Sequence, residues 1–568
     1  MGSSTHERRD GSAPAGGIER PDDVLAQARM VASLCAAQSR SGGPPARVIE
    51  THISYVLLTG GFAYKIKKAV GLGFLDFRTL AARRFYCDEE LRLNRRLAPD
   101  IYLDVIAVTG SIDAPALGGH GAAVDYAVRM REFPQAALAV HALERGELSA
   151  AHVSALARQV AAFHRTAGCA PPHGRLGAPE VILRIALQNF AQLRPLLRAE
   201  AEAADLDVLE AWTRKQHAAC ASAMAQRRDH GFTRECHGDL HLGNIALLEG
   251  QPVIFDCIEF NEEMRWIDVM SEIAFTTMDL RDRGRPDLAS RFLDAYLEIT
   301  GDYAGLGVLR FYLVYRAMVR AKIARLRAHQ CAPGDAADAL VAESAGYLRL
   351  AGEFARTTGA AIVITHGVSG SGKTTVSQAL VEAGGAIRIR TDVERKRLHG
   401  LDPDAERGER AGIDAGLYSP ATTQATYRHA LALAQQATAA GYAVIVDGAF
   451  LERWQRRLFK ELAAKAGIAM VILACAAGDA ILRERIACRH ARGDDASDAD
   501  LAVLDHQLRT QEPLAADERD DAIVVDTEAR IDAAYAAVLW QAVCDLAARF
   551  HGPAGALRRT PVSSPVAP

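Results

Sequence analysis

The sequence predicts two units in tandem, an α+β unit followed by an α/β unit built on a doubly wound parallel sheet. Three observations carry that prediction. From Ala361 onward, short β-branched runs alternate with helical stretches to about Phe550, as in a parallel sheet with crossover helices. That region opens on Gly367-Val-Ser-Gly-Ser-Gly-Lys-Thr374, a glycine-rich turn between a strand and a helix. The earlier region begins with hairpin-like text and ends in long helices, with His237-Gly-Asp-Leu-His-Leu-Gly-Asn244 and two short apolar runs between them.

The bulk numbers bound the class. At 568 residues the chain exceeds one core and suggests roughly two to four domains. Its hydrophobic fraction of 49% and charged fraction of 24% are ordinary for a globular protein. A net charge of -4 gives no general basic field that would favour nucleic acid or an anionic membrane. The ten cysteines are scattered without a C-x-x-C pair, so reduced and mostly buried thiols are expected. No run approaches the ~20 apolar residues of a membrane span, and Met1 to Asp23 lacks the apolar stretch of a signal peptide. A cytoplasmic location is the expectation. The boundaries read from composition are a disordered leader at 1–22, a first unit at 23–356, a second at 357–551 and a disordered tail at 552–568.

In the first unit, a helix is expected over Asp23 to Gln38 and strands over Val48 to Val70, with Thr59-Gly-Gly61 as the hairpin turn. Lys65 and Lys67 are two apart on one strand and share a face. Glu90 lies on the helix that follows and is a candidate ion-pair partner for a lysine; the alternative is a solvated charged face. Tyr126 to Phe133 reads as a further strand and 150–225 as long helices. His164 in one of them reads as core. Trp266-Ile-Asp268 is placed to brace the loop at residues 237–244. The helix Tyr312 to Arg327 carries Arg316, Arg320, Lys322 and Arg325, read as a solvated basic face.

In the second unit, Gly367 to Thr374 fits G-x-x-x-x-G-K-[ST] after the apolar strand Ala361 to Thr365 and before a helix expected from Thr374 to Glu382. Glycines let backbone N–H groups converge on phosphate oxygens, and a helix N-terminus adds partial positive charge. Gly367, Ser369, Gly370, Ser371, Gly372, Lys373, Thr374 and Thr375 are therefore candidate nucleotide ligands. Lys373 is expected on the β/γ-phosphates of ATP and the Thr374 hydroxyl on Mg²⁺. Asp392 closes a second strand, Ala386 to Thr391, and is a candidate general base or a helix N-cap. Asp447 closes a third, Tyr442 to Val446, and is a candidate metal carboxylate or another cap. Arg483, Arg485, Arg489 and Arg492 precede Gly493; Arg485 and Arg489 are candidates for clamping the phosphoryl group, against a solvated basic face. Ile523 to Val525 reads as the last strand. These pieces resemble the P-loop kinases of the gluconate-kinase-like and zeta-toxin-like families.

In the loop at residues 237–244, Asp239 and Asn244 are spaced as in the protein-kinase pattern H-R-D-x-x-x-x-N, which puts a carboxylate and an amide on one loop. Asp256 follows the run Val253-Ile-Phe255 and fits the metal-binding aspartate, although the usual glycine after it is replaced by Cys257. Glu259 is a candidate for positioning metal or substrate. A zinc cluster of Cys236, His237 and His241 lacks a fourth ligand at a usual spacing. H-G-D-L-H-x-G-N followed by I-F-D resembles the aminoglycoside phosphotransferase and choline-kinase-like superfamily, whose fold is protein-kinase-like and bilobal. The resemblance implies Asp239 as general base, Asn244 and Asp256 as Mg²⁺ ligands, and Lys65, after the aromatic Tyr64, on the α/β-phosphates. A glycine-rich phosphate lid is missing from this unit.

Outside the tails the whole chain resembles bacterial bifunctional aminoglycoside-phosphotransferase and ATP-binding (AAA-type kinase) proteins. The expected function is a phosphotransferase with two nucleotide-binding domains, moving the γ-phosphoryl of Mg-ATP to a hydroxyl on a small molecule. Basic segments of the second unit keep a nucleotide or polynucleotide end as an alternative acceptor. A sensing protein, in which one domain binds nucleotide without chemistry, is the reading from a different class. The sequence says nothing of oligomeric state.

Overall fold

The computed structural model describes residues 24–40, 46–72, 75–197, 200–356, 359–401, 416–492 and 500–549. The expected leader and tail, and the glycine and aspartates after Arg492, lie outside these residues.

Helix α1 (Val24–Arg40) precedes strands β1 (Arg47–Glu50), β2 (Ser54–Thr59) and β3 (Phe62–Lys67). Helix α2 (Leu80–Asn94) follows, with Thr79 accepting from the Ala82 N–H as N-cap. Strands β4 (Tyr102–Gly110), β5 (Pro115–Leu117) and β6 (Ala123–Arg131) complete an antiparallel sheet in the order β1-β2-β3-β6-β4-β5. Gly60 and Gly61 supply the positive φ that the tight β2–β3 turn needs. The Val56↔Lys65 pairing and the alternation of β3 carry Lys65 and Lys67 to the side on which α2 packs.

A helical lobe comes next: α3 (Ala150–Thr166), α4 (Pro179–Leu193) and α5 (Glu200–Asp229). The short strands β7 (Thr233–Glu235), β8 (Ile245–Leu248), β9 (Gln251–Ile254) and β10 (Trp266–Asp268) form two ribbons, β8-β9 and β10-β7. Four helices follow: α6 (Val269–Asp282), α7 (Pro286–Thr300), α8 (Leu306–Gln330) and α9 (Asp335–Ala355). Asp268 caps α6 through the Met270 N–H and pairs with buried Arg227, so the braced Trp266–Asp268 segment also anchors α5.

The α/β unit contains β11 (Ala361–His366), α10 (Lys373–Gly384), β12 (Ile387–Arg390), α11 (Thr391–Leu398), α12 (Pro420–Ala439), β13 (Val444–Asp447), α13 (Arg453–Ala466), β14 (Ala469–Ala476), α14 (Asp479–Arg492), α15 (Leu501–Thr510), β15 (Ala522–Asp526) and α16 (Ala533–Ala548). The sheet is all parallel, in the order β12-β13-β11-β14-β15. Ala361 to Thr365 are buried on both faces, which explains an apolar run without alternation. Asp392 lies within the first turn of α11 rather than at a strand end, and Arg390 takes the N-cap position, so the N-cap reading of Asp392 is corrected.

The two units share one apolar core. Leu288, Phe292, Leu293 and Tyr303 of the helical lobe belong to the same buried cluster as Ile387, Ile389, Tyr427 and Ala430 of the parallel-sheet unit. Arg291 of α7 pairs with Glu382 of α10, and the Tyr303 hydroxyl donates to the Arg388 carbonyl at 3.1 Å. Among the described residues no helix is long and apolar enough to cross a membrane.

Candidate active sites

The first centre is assembled from four separate elements. Lys65 Nζ of β3 lies 2.8 Å from Glu90 Oε1 of α2 and 2.5 Å from Asp256 Oδ1 beyond β9. Burial opposes charge on Lys65, but Asp256 and Glu90 outweigh it and hold the ammonium well above its ordinary pKa. Lys67 is also present: its Nζ bonds Glu90 Oε2 at 2.7 Å and pairs with Glu259. Burial alone would push Glu90 up; the two lysines pull it down to about 2. The buried order is therefore Lys65–Glu90–Lys67–Glu259. Of the two lysines named from sequence, Lys65 faces Asp256, and Lys67 ties α2 to the segment after it.

Asp256 sits at φ +65°, a left-handed conformation that aspartate tolerates better than most residues. Its N–H donates to the Tyr102 hydroxyl at 3.2 Å, and the next N–H donates to Asn94 Oδ1 at 2.9 Å. These two anchors hold the turn that the missing glycine would otherwise ease.

Helix α6 cradles the loop at residues 237–244. Glu272, Thr276 and Asp279 lie four and then three residues apart on one helix face. Glu272 accepts from the His237 and Gly238 N–H groups at 2.6 and 2.9 Å, Thr276 donates to the Leu240 carbonyl at 2.8 Å, and Asp279 accepts from the Leu242 N–H at 2.8 Å. Gly238 has φ +89°, and a Cβ there would meet the Met264 carbonyl oxygen at 2.8 Å. Nε2 of the buried His237 lies 2.7 Å from the Phe255 carbonyl oxygen, and its Nδ1 lies 3.2 Å from the Asp239 nitrogen. Asn244 Nδ2 donates to Asp239 Oδ2 at 3.0 Å, and His241 Nε2 lies 3.4 Å from the same oxygen. Burial would raise Asp239, but His241 overcomes it and holds the carboxyl below its usual range. The Asp239 side chain keeps 36% exposure and that of Asp256 41%, so both are reachable from solvent.

The solvated reading of the α8 face is corrected: Arg320 and Lys322 are half-buried, with Arg320 donating to the Tyr347 hydroxyl at 3.3 Å and burial lowering Lys322 to about 8. Arg316 and Arg325 are buried: Arg316 donates to the Gly238 and Ser271 carbonyls at 2.9 and 3.0 Å, and Arg325 to Glu202. Apolar neighbours then exclude water from the Arg316 charge, with its guanidinium over the Phe275 ring. His164 is core, as expected, with Nδ1 2.8 Å from the Tyr296 hydroxyl. His164, Cys236 and Glu272 come together, but hydrogen bonds account for the cluster: Glu272 serves the loop amides and Cys236 Sγ donates to the Ile267 carbonyl.

The second centre is made of backbone. Gly367, Gly370 and Gly372 have φ of 150°, 82° and 79°. Their absent side chains leave room for tight packing: a Cβ at Gly370 would meet the Leu482 carbonyl oxygen at 2.8 Å, and one at Gly372 the Thr527 Cβ at 2.9 Å. Gly372 caps α10, whose first residues are Lys373, Thr374 and Thr375. The Ser369 N–H donates to Gln507 Oε1 at 2.7 Å and Lys373 Nζ to the Val368 carbonyl at 2.8 Å, while the buried Ser371 Oγ has no partner among the described residues. Burial lowers Lys373, against the opposing pull of Asp447, Cys475 and Asp392. Asp447 is buried and accepts from Ser377 Oγ at 2.9 Å. Arg485, named as a phosphoryl clamp, donates to the Gly370 carbonyl at 3.2 Å and the Thr527 carbonyl at 2.6 Å, fastening the loop to the end of β15. Arg483 pairs with Asp479 and Asp505 on the surface.

Both centres carry donor groups of the kind that a nucleotide and a hard cation require. Gly372 opens α10 at its N-terminus, which favours an anion, and the Ser371 hydroxyl, unpartnered among the described residues, adds a polar group there. A hard cation would take its oxygen donors from Thr374 and Asp447 in the second centre, and from Asn244 and Asp256 in the first.

Comparison with known proteins agrees with this division. Residues 85–312 match the model of the phosphotransferase enzyme family, and residues 362–514 match an AAA domain. Uncharacterized protein Rv2004c of Mycobacterium tuberculosis (strain ATCC 25618 / H37Rv) is 33% identical over 473 residues, 83% of this chain and 91% of that protein. Among solved structures, amicoumacin kinase hAmiN is similar over 58% of this chain and 95% of its own, at 12% identity and a TM-score of 0.37. A gluconokinase from Sinorhizobium meliloti 1021 is similar over 34% of this chain and 94% of its own, at 20% identity and a TM-score of 0.23. The chain belongs to the two-domain family of the mycobacterial protein, in which a phosphotransferase-family kinase-like domain precedes a P-loop domain of the AAA type.

Proposed function

We propose that each domain binds Mg-ATP and that the protein transfers the γ-phosphoryl group to a hydroxyl of a small molecule. The observation that carries the reading is the convergence of Lys65, Glu90 and Asp256 from three elements, with Asp239 and Asn244 hydrogen-bonded on the adjoining loop. Phosphoryl transfer asks little covalent chemistry of a protein; positioning and charge neutralisation do most of the work. Lys65 would bind the α/β-phosphates, held in place by Glu90. Asn244 and Asp256 would hold Mg²⁺, which when bound neutralises charge on the β/γ-phosphates. The acceptor oxygen attacks the γ-phosphorus, the bond from that phosphorus to the β,γ-bridging oxygen breaks, and the hydroxyl proton passes to Asp239. A carboxylate kept at low pKa by His241 is a weak base but stays ionised, which suits a loose transition state in which the proton leaves late.

In the second domain, Lys373 and the loop amides would hold the β/γ-phosphates, Thr374 and Asp447 the cation, and Asp392 the acceptor proton. Arg489, whose charge acts on Lys373, would meet developing charge.

The test is Mg-ATP turnover with a panel of aminoglycosides, sugars and amino alcohols, with products read by mass spectrometry, for wild type, Asp239→Asn and Lys373→Ala. A phosphorylated product lost in one variant assigns the chemistry to that domain. Binding of ATP at both domains with no mutation-sensitive turnover would instead make the protein a sensor.

A further inference from the structure

The parallel sheet ends against the other domain in a shared ion-pair network. Glu298, near the C-terminus of α7, accepts from Arg390 Nη1 at Oε1 and from Arg388 Nη2 at Oε2, both at 3.1 Å. Arg388 also donates to Asp294 Oδ2 at 2.9 Å. Arg390 is the register partner of Asp447 on the neighbouring strand, and its Nε stands 4.0 Å from Asp447 Oδ2. That oxygen already accepts from Ser377. Arg390 therefore stands between two carboxylates, one from each domain, and is hydrogen-bonded to the one from the kinase-like domain. Three further contacts fix the same corner: Arg397 donates to the Glu298 carbonyl, Tyr303 to the Arg388 carbonyl, and Gly301 leaves space for the Arg397 side chain.

We infer that Glu298, a residue of the kinase-like domain, is a positioning residue of the P-loop centre: it holds Arg390 back from Asp447 and so keeps that carboxylate available to a divalent cation. This rests on the reading of Asp447 as a cation ligand. The physical argument is competition. A guanidinium offers charged donors that match both oxygens of a carboxylate, and in a buried site such a pair would compete with a metal–oxygen bond for the same lone pairs. Glu298 meets that donor demand from outside the centre. The carboxylate pair also makes the centre depend on the neighbouring domain, because nothing in the P-loop sequence itself supplies Glu298.

The test measures binding of a fluorescent ATP analogue to the full chain as Mg²⁺ is titrated, following the component of the signal that Lys373→Ala removes. Glu298→Gln is expected to raise the Mg²⁺ concentration for half-maximal tightening by about ten-fold, with binding in excess chelator unchanged. Adding Arg390→Gln to Glu298→Gln is expected to return the midpoint to the wild-type value. Arg388→Gln weakens the same contact between domains but leaves Arg390 on Glu298, and is expected to leave the midpoint in place. An unchanged midpoint in Glu298→Gln, no recovery in the double variant, or an equal shift in Arg388→Gln would each overturn the inference. If Lys373→Ala removes no component of the signal, the reading of the P-loop centre itself fails, which is a separate result.

Discussion

The two centres hold their charged groups by opposite means. In the kinase-like domain a chain of buried side-chain charges, Lys65–Glu90–Lys67–Glu259, locks β3, α2 and the segment after Asp256 together. In the P-loop domain the geometry comes from backbone: left-handed glycines turn the chain, and the one lysine, Lys373, bonds a carbonyl of its own loop. The difference teaches where each centre is vulnerable. The first depends on charge balance across distant elements, the second on the absence of side chains at three positions.

The largest expected effect breaks the backbone side of that contrast. Gly372→Val puts a branched side chain at φ +79° against Thr527, so nucleotide binding in the P-loop domain is expected to fall roughly 10²-fold, while binding in the kinase-like domain is unchanged. Titrating each domain's nucleotide signal separately checks this. Asp239→Asn is expected to lower turnover at the first centre by about 10²-fold or more with little change in melting temperature, because the isosteric amide keeps the loop's shape.

Stability measurements sharpen the charge side. Glu90→Ala leaves Lys65 and Lys67 without their shared partner in a buried site and is expected to cost about 3–5 kcal/mol in denaturant unfolding. Lys373→Met removes an ammonium that burial already disfavours, and is expected to be neutral or stabilising. The same contrast has a pH signature. The Glu90 carboxyl lies near 2 in the folded protein against 4.5 ordinarily, so its contribution is present above about pH 4.5. That contribution is lost as pH falls toward 2, and Glu90→Gln should flatten this part of the stability profile. The smallest effect concerns His241. Its Asn variant releases Asp239 toward the ordinary carboxylate range, and the acid limb of the turnover profile is expected to move up in pH.

Legibility in the sequence follows the same division. The phosphate loop is contiguous, so its glycines, lysine and helix start were readable from eight successive residues. The closeness of Asp239 and Asn244, which hydrogen-bond, was readable because they share one loop. What escaped was support from afar. Arg316 reads as solvated because its helix carries other basic residues; its apolar flank of Tyr315, Ala317 and Met318 is the signal for burial. Glu272 is a lone carboxylate in the apolar stretch Val269 to Met278, the mark of a buried acceptor, and with Thr276 and Asp279 it forms the polar stripe that cradles the catalytic loop. Asp392 was taken to close a strand, whereas the chain turns helical at Thr391. The pairing of Glu298 with Arg390 crosses domains 92 residues apart in sequence, and no local pattern records it.

The central claim is that one chain carries two separate nucleotide sites. The most direct measurement is the stoichiometry of a non-hydrolysable ATP analogue by titration calorimetry, with Mg²⁺ present, for wild type, Lys65→Ala, Lys373→Ala and the double variant. Two sites per chain are expected in wild type, one in each single variant and none in the double. A single site in wild type, or two sites that persist when either lysine is removed, would contradict it.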